Sequence, residues 1–237
     1  MRKNIWDQYR NKLRTADEAV KVVKSGDWVY YSHFVMNPVT LDRALAKRLG
    51  EITDVKTSMS SGMHQIRVAA CDPEGKSFTH NSTFYSKSDR NLAKQGATFF
   101  IPSNYHEQPW RMRNGFSPKP NVAFIKTTPM DNNGLFNFGT SNSYIKSVTE
   151  MADIVIVETN EGVPKCLGGH SENIHIADVD YIVEAEKTPM MAIPKPSASP
   201  EEIKMAEFIM TEIHDGACLQ LGIGGIPNTV GSLLAES

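Results

Sequence analysis

Residues 153–158, Asp-Ile-Val-Ile-Val-Glu, constrain the fold of this 237-residue chain more than any other stretch. A strand with one wet face alternates apolar and polar residues. Ile154, Val155, Ile156 and Val157 in succession demand cover on both faces, the situation of a strand inside a parallel sheet. Residues 121–127, with Val122, Ala123, Phe124 and Ile125, read as a second such strand, and residues 27–34, 55–59 and 97–102 as further ones. Helical patterns separate them. Thr15-Ala16-Asp17-Glu18 is a capping box opening a helix that buries Val20, Val22 and Val23 and closes at Gly26. Pro38 and Thr40 start another, with Leu41, Leu45 and Leu49 on one face and Gly50 at its end; residues 88–94 and 141–152 read as two more. Strands alternating with helices predict an α/β fold with a mostly parallel sheet.

In such sheets ligands bind outside the carboxyl ends of the strands. Two places match that edge: Ser32-His33-Phe34 after the first strand, and a glycine-rich turn near the end of the sequence. The second begins with a capping box, Ser199-Pro200-Glu201-Glu202, which opens what reads as the longest helix, residues 201–213, closed by Gly216. An expected strand over residues 217–221 then enters Gln220-Leu221-Gly222-Ile223-Gly224-Gly225-Ile226-Pro227-Asn228, and a helix opening on Pro227 carries Val230, Leu233 and Leu234. Glycines before a helix let backbone N–H groups face an anion or a polarised carbonyl. The apolar rhythm reaches Leu234 with no stop signal behind it, which predicts the front part of a longer protein. The stretch around Pro194 and Pro200 is the expected internal boundary.

Other chemistries are poorly served. Net charge is −2 and no basic run stands out, so nothing points to nucleic acid. Cys71, Cys166 and Cys218 are far apart and form no CxxC pair; each reads as a reduced, buried, hydrophobe-like residue. The polar Met1–Trp6 start lacks the apolar core of a signal peptide, and no stretch is long enough to span a membrane, so a cytoplasmic protein is expected. Gly222, Gly224 and Gly225 fit neither the GxGxxG fingerprint nor a Walker loop. His64, His80, His170, His175 and His214 show no metal-ligand spacing. His106-Glu107 lacks the second histidine of HExxH, and Pro109 argues against a helix there. No GxSxG elbow occurs. Asp131-Asn132-Asn133-Gly134 reads as a turn rather than a calcium loop, and Met36, Met59, Met63, Met190 and Met191 as packing residues. A lone histidine at a strand end, as at His33, is either a hydrogen-bonded core residue or a catalyst. Gln220, an amide beside exposed N–H groups, is suited to orienting a polar ligand.

The nine residues from Gln220 to Asn228 resemble the coenzyme A loop of the acetyl-CoA hydrolase/transferase family, closest to its 4-hydroxybutyrate and butyryl-CoA:acetate CoA-transferases. The resemblance continues, in order, through Thr15-Ala16-Asp17-Glu18-Ala19-Val20, Ser32-His33 with Pro38, Ile101-Pro102 with His106-Glu107-Gln108-Pro109, and Pro129-Met130-Asp131-Asn132-Asn133-Gly134. Glu158-Thr159-Asn160 and Val163-Pro164 end it, so it runs along essentially the whole chain. It implies an open α/β/α CoA-transferase-like domain over residues 1–195 and the truncated beginning of a second, similar domain over residues 196–237. It also implies exchange of CoA between a short-chain acyl-CoA (butyryl, 4-hydroxybutyryl or propionyl) and acetate, through a mixed anhydride and then a glutamyl-CoA thioester.

The family's nucleophilic glutamate would fall beyond Ser237, in a later strand. Glu236 lies in the helix after the loop and matches nothing in the motif, so this chain alone is expected to be inactive. By position, Gly222, Ile223, Gly224, Gly225 and Ile226 would contact CoA. Gln220 and His33 would support catalysis by holding the substrate carboxylate or carbonyl. The resemblance implies no cofactor bound covalently at rest, CoA as co-substrate, no metal, and as partners an acyl-CoA, a short-chain carboxylate and the missing C-terminal half. It further implies a homo-oligomer, a homodimer, in fermentative acetate and butyrate metabolism. The alternatives are an acetyl-CoA hydrolase that admits water to the same thioester, a non-catalytic CoA- or nucleotide-binding module, and a structural subunit whose partner chain carries the glutamate.

Overall fold

The computed structural model describes residues 4–192 and 197–236. The chain divides into two compact units, Met1–Met190 and Met191–Ser237. Pro194 and the expected boundary at residue 195 lie outside the described residues.

The first unit runs α1 (Ile5–Lys12), α2 (Ala16–Ala19), β1 (Trp28–Tyr31), α3 (Val39–Ala46), β2 (Val55–Met59), α4 (Arg67–Cys71), β3 (Phe78–Ser82), α5 (Lys87–Ala93) and β4 (Thr98–Phe100). It continues with α6 (Gln108–Arg113), β5 (Val122–Thr127), β6 (Leu135–Asn137), α7 (Ile145–Met151), β7 (Ile154–Thr159), β8 (Asn173–His175) and β9 (Tyr181–Glu184). Seven strands form one sheet in the order β4-β3-β2-β1-β5-β7-β9, every pairing parallel, while β6 and β8 make a small antiparallel pair. The prediction from residues 153–158 holds in detail. Ile156 packs with Tyr31, Phe124, Leu41 and Leu45 in the core on one face. Val155 and Val157 pack with Ala123, Ile125, Phe136 and Ile145 in the core on the other.

The capping box of Thr15 and Glu18 forms as expected, although its α-helix is short and passes into a 3-10 turn at Val20–Val22. Asp131 accepts from the amides of Asn133 and Leu135, so residues 131–134 are the expected turn, with Gly134 at φ 78°. Several expectations need correction. Pro109 does not exclude a helix: it sits in the first turn of α6, where a missing N–H costs nothing. The helix read over residues 141–152 starts only at Ile145, because Ser143 takes a left-handed conformation, φ 52°, that breaks it. The cysteines are not buried; Cys71 and Cys218 are exposed and Cys166 is half-buried. Met36 and Met59 are fully buried, but Met191 is 39% exposed.

The second unit consists of α8 (Pro200–Met210) and α9 (Gly225–Glu236) with an irregular connection. Ser199 and Glu202 form the expected capping box. At twelve residues α9, not α8 at eleven, is the longest helix among those described. Residues 217–221 are irregular, not a strand: a strand needs a neighbour to take its backbone bonds, and none pairs with it among the described residues.

Candidate functional site

From β1 the chain lays β2, β3 and β4 outward on one side, then returns to place β5, β7 and β9 on the other. The order therefore reverses between β1 and β5, and the crevice at such a switch point, outside the carboxyl ends of the strands, is where open α/β sheets bind ligands. Ser32 ties the two ends together. Its amide donates to Phe124 O at 3.1 Å, its Oγ accepts from the Lys126 amide at 2.9 Å, and the hydroxyl donates to Met36 O. The backbone beyond is bent sharply: Phe34 and Ser61 hold φ of 53° and 50°, left-handed values that persist in non-glycine residues only where the surroundings impose them.

His33 follows directly on Ser32 and is fully buried. Its ring packs on Tyr144, centroids 4.3 Å apart, and Nδ1 lies 2.7 Å from Ser143 Oγ. Nε2 has no partner. Burial lowers its pKa to about 3, so the imidazole is neutral throughout the physiological range. Both sequence readings of this residue are thus partly realised: it is buried and hydrogen-bonded, and it keeps one nitrogen unspent.

Sequence reasoning missed Lys126 and Asp42, and gave Glu158 no role beyond carrying the resemblance. Lys126 and His33 each lie two residues beyond the Tyr31–Phe124 register pair, on neighbouring strands. Lys126 is only 5% exposed, yet its ammonium makes no hydrogen bond or ion pair with the described residues. Burial lowers its pKa, and Glu158, its register partner on β7, partly offsets that. Glu158 is itself buried. Its carboxylate accepts from the Leu41 amide at 2.9 Å, in the first turn of α3, yet burial still raises its pKa to about 7. Asp42, one turn into α3, accepts from Tyr31 Oη at 3.1 Å and from the amides of Arg67 and Val68, with burial raising it to about 6. The signal that could have found Lys126 was a lone cation ending the apolar run 122–125.

The other candidates sit in the second unit. Gln220 is exposed and irregular, so the strand that was to present its amide is absent. Ile223 is 91% exposed and touches little. Gly224 holds φ 154°, open to glycine alone, and α9 begins at Gly225 with Pro227 in its first turn. The first-turn amides of Gly225 and Ile226 make no hydrogen bond with the described residues, as a ligand cradle requires. A Cβ on Gly225 would overlap the carboxylate of Glu202, so that acid lies beside the start of α9. His33 and Lys126 thus share one edge of the first unit, while Gln220, Gly222, Ile223, Gly224, Gly225 and Ile226 form one loop of the second. No group of three or more His, Cys, Asp or Glu among the described residues is placed to hold a metal ion, and no described helix is long and apolar enough to cross a membrane.

The chain is similar to known proteins along its whole length. It is 44% identical, over 100% of its residues and 53% of the relative's, to a probable butyrate:acetyl-CoA coenzyme A-transferase of Syntrophomonas wolfei. To the butyryl-CoA:acetate CoA-transferase of Anaerostipes caccae it is 44% identical over 98% of its residues and 52% of the relative's. It spans about half the length of these curated relatives. The crystal structure of RipA from Yersinia pestis superposes with a TM-score of 0.88 at 30% identity, covering 98% of this chain and 55% of that one. The acetyl-CoA hydrolase/transferase N-terminal domain matches residues 1–194, and the chain belongs to the acetyl-CoA hydrolase/transferase family.

Proposed function

We propose that this chain supplies the N-terminal half of a CoA-transferase that moves CoA between a short-chain acyl-CoA, butyryl or a near relative, and acetate. The observation that carries the reading is the 44% identity, over essentially the whole chain, to two proteins named for that exchange. The site's chemistry supports it. Thioesters and carboxylates offer only hydrogen-bond acceptors, and the edge of the first unit holds an unspent imidazole nitrogen and an unpaired ammonium. Attack on a thioester puts negative charge on the carbonyl oxygen, and fixed donors in a buried site lower that barrier. His33 and Gln220 take the supporting catalytic role and Gly222, Ile223, Gly224, Gly225 and Ile226 the CoA contacts, with main-chain amides rather than side chains facing the ligand. Lys126 holds the carboxylate of the incoming acid.

In this reading the nucleophile is a glutamate contributed from outside these residues. It attacks the thioester carbonyl and expels CoA thiolate; the thiolate then attacks the resulting anhydride, releases the acid and leaves a glutamyl-CoA thioester. Acetate reverses both steps, so one difficult exchange becomes several acyl transfers at one carboxylate. The reading includes two similar domains divided near residue 195, CoA as co-substrate, a homodimer, and a cytoplasmic place in fermentative acetate and butyrate metabolism.

The test uses the intact protein with butyryl-CoA and isotopically labelled acetate. Label entering acetyl-CoA faster than free thiol appears is the expected result. Thiol release in excess of exchange makes the protein a hydrolase, and CoA binding with neither reaction makes it a binding module.

A further inference from the structure

Tyr105, Ser143 and His33 form a chain of hydroxyls and imidazole whose ends differ sharply in exposure. Tyr105 is 44% exposed, in the 3-10 turn that precedes α6, and its Oη donates to Ser143 Oγ. Ser143 Oγ is 2.7 Å from His33 Nδ1, and the far nitrogen, Nε2, is buried without a partner among the described residues. Tyr105 and Tyr144 pack edge to face, 5.9 Å between centroids, and Tyr144 lies against the His33 ring, so the phenol is held in register with the histidine. Ser143 reaches this position only through its left-handed backbone, the same bend that delays the start of α7.

The direction of the protons follows from counting partners. A phenol is the stronger donor of the two hydroxyls, so Tyr105 gives its proton to Ser143 Oγ; the serine proton then needs an acceptor, and His33 Nδ1 is the one in reach. A neutral imidazole accepting at Nδ1 carries its hydrogen on Nε2. The opposite tautomer would leave Nε2 as a buried acceptor, facing substrates that have no donor at the reacting carbonyl. We propose that Ser143 and Tyr105 are positioning residues for His33: their hydroxyl chain locks the imidazole in its Nε2–H tautomer, which makes His33 a hydrogen-bond donor to the thioester carbonyl oxygen instead of a base. This rests on the proposed acyl exchange. A neutral donor suits the task because it strengthens as the oxyanion develops without surrendering its proton to it.

The experiment is nitrogen and carbon NMR of the His33 ring in the intact protein, alongside the labelled-acetate exchange, for wild type, Tyr105→Phe and Ser143→Gly. The glycine variant removes the hydroxyl and tolerates the left-handed backbone, so it keeps the fold. The wild type is expected to show Nε2–H with no titration between pH 5 and 9. Ser143→Gly is expected to mix the tautomers and to lower kcat by roughly ten- to a hundredfold with KM little changed, and Tyr105→Phe to do so more weakly. An Nδ1–H tautomer in the wild type overturns the proposal, as does a Ser143→Gly variant with wild-type tautomer and kcat. A wild type that exchanges no label refutes the transferase reading alone, and the tautomer measurement still decides the lock.

Discussion

Replacing Glu158 by Gln tests the electrostatics of the crevice most directly. Burial raises this carboxyl from 4.5 to about 7, while the Leu41 amide and Lys126 pull the other way. At about 1.4 kcal/mol for each tenfold change in proton affinity, that displacement amounts to about 3 kcal/mol. The sign is fixed by which state holds the proton. Below pH 4.5 both folded and unfolded chains are protonated and the contribution is fully present. As pH rises toward 7 the unfolded chain ionises first, so stability is lost, and above 7 the loss is complete. Gln has no such titration. Asp42, raised to about 6, acts in the same sense, and His33, lowered to about 3, in the opposite sense between 3 and 6.5, but both are common to the two proteins and cancel in the difference. Urea unfolding followed by fluorescence reads the right region, since Trp6, Trp28 and Trp110 all belong to the first unit. Relative to wild type, Glu158→Gln is expected to gain about 2–3 kcal/mol of unfolding free energy on going from pH 5 to pH 8. A difference that stays constant over that range would mean Glu158 ionises normally, and the assignment of a desolvated, acid-tuned crevice would be wrong.

Ser32→Ala removes the hydroxyl bridging β1 and β5 and leaves the Lys126 amide without its acceptor. It is expected to cost about 1–3 kcal/mol in the same urea assay, and a loss below experimental error would show that Ser32 does not tie the strands. Lys126→Met should raise the acetate KM by roughly tenfold or more, the worth of a hydrogen bond to a charged group, with a smaller effect on kcat; an unchanged KM would remove Lys126 from the carboxylate site. Gly225→Val is expected to abolish exchange, because its side chain must displace the Glu202 carboxylate and crowd the unengaged amides at the start of α9. Full turnover by that variant would refute the loop assignment.

The sheet was legible where burial alone dictates the residues. Val122–Thr127 and Ile154–Thr159 lie within a residue of the expected strands because both faces of each are covered, which calls for the unbroken apolar runs at 122–125 and 154–157. β3 escaped because Thr79, His80, Asn81 and Ser82 look like a loop. They are tolerated in mid-sheet because β2 alongside supplies partners: His80 Nδ1 is 2.8 Å from Thr57 Oγ1, and Asn81 donates to Thr57 O at 3.3 Å. Pairing of that kind depends on which strand lies alongside, and local sequence carries no record of it. Residues 217–221 failed for the complementary reason. Cys218, Leu219 and Leu221 have strand composition, but a strand exists only with a neighbour. At the site, His33 was visible as a histidine closing an apolar run. Its tether to Ser143, 110 residues on, and the isolation of Lys126 are properties of the folded edge.

Covalent exchange through a carboxylate requires a carboxylate that is exposed to the thioester and free of other duties. The two acids buried beside the crevice do not qualify. Glu158 accepts from the first turn of α3, and Asp42 holds three donors at once, the Tyr31 hydroxyl and the Arg67 and Val68 amides. Burial also raises Glu158 to about 7, which keeps a share of it in the protonated, non-nucleophilic form near neutrality. What the edge holds in reserve is of the opposite kind, a neutral imidazole nitrogen and a cation, groups that receive charge rather than deliver it. In the proposed reading, a residue set of this composition stabilises the oxyanion while the attack comes from another residue. Borohydride reduction of the intact protein incubated with butyryl-CoA would therefore mark a glutamate outside these 237 residues; a mark on Glu158 or Asp42 would reverse the division of labour argued from their hydrogen bonds.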